Sequence, residues 1–213
     1  MTHSTSTSSG DFWDFNFTQP QPTQDTDLLK QLNFVPGLKE ILMLRQVHAL
    51  EHATVWVLGE RFGVSRMRSP TTAEQLDNDT LGGLSTDEGF YLYGQVNLAD
   101  LRRAVPMALR RITGGEWELA VHPRCGTNFS VGIFLTTGLA LGAHLVMPPG
   151  PVEQMIGLGL ATAVATQLTP DLGNLAQRYL TTAIPFNLAV ESITATPDIW
   201  GRPAHFVRVR WQN

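Results

Sequence analysis

Apolar side chains recur at Leu38, Ile41, Leu42, Leu44, Val47, Leu50, Val55, Val57 and Leu58 within residues 35–62. That spacing is helical, with apolar surface on most sides, so the helix belongs in a core or against lipid. Pro36 and Gly63 punctuate its ends, and Gly37 moves the regular start toward Leu38. Farther on, GFYLYGQV (89–96) has the aromatic content of a strand, and NLADLRRAVPMALRRI (97–112) reads as a helix entered at Asn97 and kinked at Pro106. Gly114 and Gly115 turn the chain into EWELAV (116–121), which alternates as a strand does.

Two apolar runs follow. FSVGIFLTTGLALGAHLVM (129–147) is 19 residues without Asp, Glu, Lys or Arg, close to the ~20 that a membrane-crossing helix needs. A Pro148–Pro151 turn separates it from VEQMIGLGLATAVATQL (152–168), which opens with Glu153. Together they read as a transmembrane helical hairpin whose Gly, Ala and Thr permit close packing; the competing reading is a pair of soluble core helices. Residues 171–182 suit a short amphipathic helix capped by Thr169 or Asp171, and SITATPDI and HFVRVRW form a β-hairpin around Trp200, Gly201 and Pro203. Residues 1–27, rich in Ser, Thr, Gln and Pro, are expected to be disordered, with DFWDFNF within them either an aromatic-rich tail of no fixed structure or a short docking or interfacial anchor, and 64–88 reads as a polar loop.

The fold class expected is therefore α+β: a small mixed domain (28–128) with an N-terminal motif-bearing helix, a two-helix transmembrane hairpin (129–168), and a C-terminal segment (169–213) of one amphipathic helix and a β-hairpin. Composition supports a membrane. Charged residues are 16% of the 213, below the ~25% usual for soluble domains. A net charge of -4 leaves no chain-wide basic footprint, so nucleic acid is excluded as a partner and a lipid bilayer is expected. Five arginines lie between residues 102 and 124 and none in the inter-helix turn, which puts the main domain on the cytoplasmic side. A single cysteine, Cys125, excludes an internal disulfide framework and suits a reducing compartment or a metal-bound thiolate.

Candidate chemistry sits in two stretches. In HALEH (48–52) the imidazoles of His48 and His52 lie four apart on a helix and share a face, with Glu51 alongside. H-x-x-E-H is the pattern of inverted zinc peptidases, whose histidines bind the metal and whose glutamate acts as base. Zinc needs three or four ligands. HPRCGTN (122–128) offers them, because a turn with Pro123 and Gly126 can aim His122 and Cys125 at one point. Glu116 or Glu118 is an alternative third ligand, while His144, most of a helix away, is not counted.

HALEH on an apolar helix, HPRCGTN leading into a hydrophobic span, and RYLTT followed by AIPFNLAVESI resemble an uncharacterised family of bacterial two-pass membrane proteins with H-G-A-E-H, H-P-R-C-G-T and Thr-Thr motifs. The resemblance covers about residues 40–192 and rests chiefly on H-P-R-C-G-T. The chain departs from it at Ala49 and Leu50, at Ala53 where a lysine is usual, and in the insertion-like 89–112 unit. A cyanobacterial branch fits best, which implies a plasma or thylakoid membrane. Members are described as metal-dependent enzymes, which implies a metal site and specifies no substrate.

The expected function is thus a membrane-anchored metal-binding protein, a zinc-dependent hydrolase with its site at the cytoplasmic membrane surface: His48, His52, His122 and Cys125 as ligands and Glu51 as the catalytic base. Four protein ligands would close a zinc site and so weaken that reading. The alternative is a scaffold or assembly factor with a structural metal and a protein partner.

Overall fold

A computed structural model describes residues 20–62 and 81–212. Its elements in order are α1 (Gln24–Gln31), α2 (Leu38–Phe62), β1 (Gly82–Thr86), β2 (Gly89–Tyr93), α3 (Leu98–Thr113), α4 (Gly126–Val146), α5 (Pro151–Ala176), β3 (Leu188–Pro197) and β4 (Pro203–Trp211). A 3-10 turn covers Trp117–Ala120, and α5 ends in a π-helical turn, Gln177–Thr181. The four strands form one antiparallel sheet in the order β1-β2-β4-β3. Mixed α+β is therefore the fold class.

The apolar pattern of residues 38–58 explains why α2 is central. Val47, Leu50, Val57 and Leu58 are fully buried, packed in one core with Phe90 and Leu92 of β2, Leu101, Val105 and Ile112 of α3, and Val207 of β4. Asn97 caps α3 by accepting the Ala99 N–H at 2.8 Å, Asp100 and the pair Arg110 and Arg111 suit the two ends of its dipole, and Pro106 stays inside the helix on its exposed side. Pro106 does not end the helix. The arginines of α3 are largely engaged: Arg111 pairs with Glu60 and Glu116, and Arg103 lies 4.0 Å from Asp100.

Several local expectations change. Residues 24–27, assigned to the tail, begin α1, where Asp25 is buried and accepts a hydrogen bond from Gln46. Residues 82–86, assigned to a loop, are β1, held by pairing to β2 rather than by any hydrophobic alternation of their own. EWELAV is a 3-10 turn, not a strand, because Leu119 and Ala120 are both buried and strand geometry would point adjacent side chains to opposite faces. Residues 188–192, within the AIPFNLAVESI stretch of the resemblance, open β3. The DFWDFNF stretch and residues 63–80 lie outside the described residues.

The expected two-pass transmembrane hairpin is corrected in one respect. A helical hairpin forms, but among the described residues only α4 is long and apolar enough to cross a membrane. The composition of α5 falls short because Glu153 and Gln154 open it and Pro170, Asp171 and Asn174 occupy its last turns. No residue of α4 is buried, and Phe129, Phe134, Leu145 and Val146 stand more than 70% exposed. Small residues fasten the two helices: Gly157, Ala161 and Ala165 recur every fourth position as the buried stripe of α5. A Cβ on Gly157 would lie 2.5 Å from the Met147 Sδ and 3.3 Å from the Ala143 Cβ, so the two helices approach closely there.

Gly89 joins β1 and β2 to the rest of the sheet. Its φ is +150°, and a Cβ there would sit 2.0 Å from the Val207 carbonyl oxygen. Gly89→Ala should therefore cost on the order of 2 kcal/mol or more, read as a lowered denaturant midpoint of the purified full-length chain.

Candidate metal centre

One turn of α2 carries both histidines, their ring centroids 4.4 Å apart. Neighbouring imidazoles converge only if their rotations are fixed, and backbone carbonyls fix both. The Nδ1 of His48 lies 3.0 Å from the Thr181 oxygen, and the Nδ1 of His52 lies 2.7 Å from the Ala120 oxygen. A carbonyl only accepts, so Nδ1–H donates in each ring and the Nε2 lone pair is left for a ligand. Cys125 supplies the third donor atom, with Sγ 3.3 Å from His48 Nε2. The ligand atoms of His48, His52 and Cys125 lie within 4.8 Å of one another, a cluster that could hold a metal ion.

Cys125 is the residue from which α4 starts. Its sulfur accepts the Thr127 N–H at 3.4 Å as a helix cap. Burial pushes the thiol up, but the His52 ring when it carries its second proton, with the Thr127 hydroxyl and amide, outweighs it and holds the thiol below its ordinary value. The end of α5 completes the scaffold. Fully buried Gln177 accepts the His122 backbone N–H and donates to Asn128, each at 2.8 Å. Asn128 meets α5 where a Cβ on Gly173 would lie 3.2 Å from the Asn128 Cα. The π turn then presents the Thr181 carbonyl to His48, while Arg45 donates to the carbonyls of Tyr179 and Thr182.

Glu51 is 7% exposed and accepts a hydrogen bond from the Ser85 hydroxyl of β1 at 2.5 Å. Burial raises its pKa against the opposing pull of Ser85 and of the His48 ring, which favours a carboxyl able to take up a proton at higher pH than usual. Gly83 makes that packing possible, since a Cβ on it would lie 2.1 Å from Glu51 Oε1. His48, Glu51, His52, Ser85, His122 and Cys125 line one cavity of about 750 Å³.

His122 stands beside the three-donor cluster. Its ring lies 5.6 Å from that of His52 and 4.9 Å from Trp56, and its Nδ1 accepts the Arg124 N–H at 3.3 Å. His122 lines the same cavity but is not among the three side chains whose ligand atoms gather within 4.8 Å. The alternatives Glu116 and Glu118 are exposed and do not line the cavity, Glu116 being held by Arg111; His144 binds Gln154 in the far half of the hairpin. Sequence reasoning passed over Ser85, Gly83 and Thr181. A Gly-Gly pair ahead of a serine was the available sign of the first two, and Thr181 acts through its backbone, which no side-chain pattern reveals.

The chain belongs to the family described as a domain of unknown function, DUF6391, whose model matches residues 43–193. An uncharacterized protein of Picosynechococcus sp. (strain ATCC 27264 / PCC 7002 / PR-6) is 52% identical over 202 residues, which are 95% of this chain and 96% of that protein. An uncharacterised family with a cyanobacterial member is what the motifs led one to expect. No solved structure matches the chain.

Gly82 and Gly83 offer an internal control. A Cβ on Gly82 meets nothing within 4 Å, whereas one on Gly83 strikes the Glu51 carboxylate. Gly83→Ala should lower stability by about 1–3 kcal/mol, while Gly82→Ala should change it by less than about 0.5 kcal/mol; equilibrium unfolding of the two variants side by side measures the difference.

Proposed function

We propose that this chain is a membrane-anchored zinc protein and that its centre is a hydrolase working at the cytoplasmic surface of a plasma or thylakoid membrane. The observation that carries this reading is the donor set: two imidazoles with Nδ1 anchored on carbonyls, and a thiol held below its ordinary pKa, gathered within 4.8 Å. Anchored imidazoles plus a thiolate suit zinc, and carbonyl partners on the far nitrogens are the usual companions of metal-binding histidines. Three protein donors is the count of catalytic zinc sites, and four that of structural ones. With His122 outside the three-donor group, the count favours catalysis over a purely structural role. Bound zinc would supply a Lewis acid.

The chain's own residues supply the rest. Glu51 is the proton acceptor, raised by burial and oriented by Ser85. The cavity gives a substrate room beside it, since about 750 Å³ lies within the ~300–1,000 Å³ of ordinary ligand sites. Anchoring rests on α4, exposed along its length and composed for a bilayer, with the apolar face of α5 beside it. The arginines between 102 and 124 favour the cytoplasmic side for the main domain.

Purified from membranes with detergent, the full-length chain should carry about one equivalent of zinc, and His48→Ala and Cys125→Ser should each lose most of it. Mass-spectrometric metal analysis decides this: equal metal in all three proteins, or none in the parent, sinks the proposal. Glu51→Gln should keep the zinc and lose hydrolysis of acyl ester probes by at least about a hundredfold; unchanged turnover would transfer the reading to a structural, scaffold-type centre.

A further inference from the structure

We infer that the substrate of this centre is an acyl-chain amphiphile drawn from the bilayer, its chain lying on an apolar lip and its polar head reaching the buried donors. The inference rests on the hydrolase reading and names the substrate class for the same cavity. What points to it is the way exposure sorts the cavity lining. The deep residues are His52, Glu51 and Cys125, at 3%, 7% and 8% exposed. At the mouth stand Ile41, Leu44 and Leu180, at 56%, 40% and 70%. Aliphatic side chains therefore stand at the rim beside the exposed Arg124, and the donors lie at the floor with Val55 and Leu81.

The rim lies at one end of the membrane helix. Cys125 starts α4, Gly126 and Thr127 of its first turn line the cavity, and Leu180 follows directly on α5. With α4 in a bilayer, the mouth comes to the headgroup level, where three bulky aliphatic side chains are covered by acyl chains instead of water. A hydrocarbon chain also needs no hydrogen-bond partners along such a lip. Of the two lining cations, Arg45 is spent on the carbonyls of Tyr179 and Thr182, while Arg124 stands exposed at the mouth, where the polar head of such an amphiphile would pass.

The test uses the full-length chain in phosphatidylcholine vesicles containing a long-chain acyl ester with a photoactivatable diazirine midway along the chain. After irradiation, mass spectrometry should find label on peptides containing Ile41, Leu44 and Leu180, in addition to the outer faces of α4 and α5. Leu44→Asp, at an exposed position, and independently Leu180→Asp should cut rim labelling by at least about tenfold while zinc content and hairpin labelling stay constant. His48→Ala should lose zinc and keep the rim label, so failure of the metal reading and failure of this one are separately visible. Label confined to the hairpin's outer faces, or rim label indifferent to both Asp variants, overturns the inference. So does competition of the rim label by an extended peptide in place of free fatty acid, because the cavity would then be a peptide groove against β1.

Discussion

Two carbonyl groups decide what α2 can do. Its sequence puts two imidazoles on one face, but a free imidazole turns about its bonds, and two free rings make no site. The oxygens of Thr181 and Ala120 accept from Nδ1 of His48 and His52 and leave both Nε2 atoms for a common ligand. Those carbonyls are 133 and 68 residues from their histidines, so the rings are set only when the 3-10 turn and the end of α5 have docked on α2. Both carbonyls belong to tight, non-α turns. In a regular helix interior each oxygen would be taken by the amide four residues on; irregular backbone is what frees them for side chains.

That dependence also explains which parts of the molecule could be read in advance. The α2 helix was legible because dense apolar positions and their punctuation survive in any tertiary setting, and the C-terminal hairpin because SITATPDI (192–199) and HFVRVRW (205–211) alternate around a turn. HALEH and HPRCGTN were legible as metal chemistry from residue types and spacing, and His48, His52 and Cys125 do come together. His122 has the right type and lines the same cavity, yet it stands outside the three-donor group. Residue types carry no record of that placement. β1 was unreadable for a related reason. Gly82, Gly83, Leu84, Ser85 and Thr86 lack a hydrophobic face and become a strand through β2, whose register pairs Gly83 with Leu92 and Ser85 with Phe90.

The glycine that made β1 unreadable is the one the site uses. Gly83 and Ser85 lie two apart on a strand and so share a face, and that face meets Glu51: the missing side chain of Gly83 makes room for the carboxylate, and the hydroxyl of Ser85 holds it. A carboxylate buried on a helix as apolar as α2 is costly unless bonded. One hydroxyl and the neighbouring His48 ring offset only part of the burial, and the raised pKa is the remainder. Partial compensation leaves the Glu51 carboxyl able to hold a proton at higher pH than a solvated carboxylate.

The connection between that chemistry and the hairpin is made through backbone. Cys125 is at once a donor of the cluster and the cap of α4, and Thr181 is at once the anchor of His48 and the last residue of the π turn that ends α5. Both ends of the hairpin therefore terminate in the centre, with Gln177 and Asn128 bonded across the gap between them and Thr127 and Thr181 touching through their hydroxyls at 3.1 Å. The small-residue stripe of Gly157, Ala161 and Ala165 holds the two helices close. In this arrangement the hairpin is part of the centre's frame: its first helix begins at Cys125, and its second ends at the carbonyl that anchors His48.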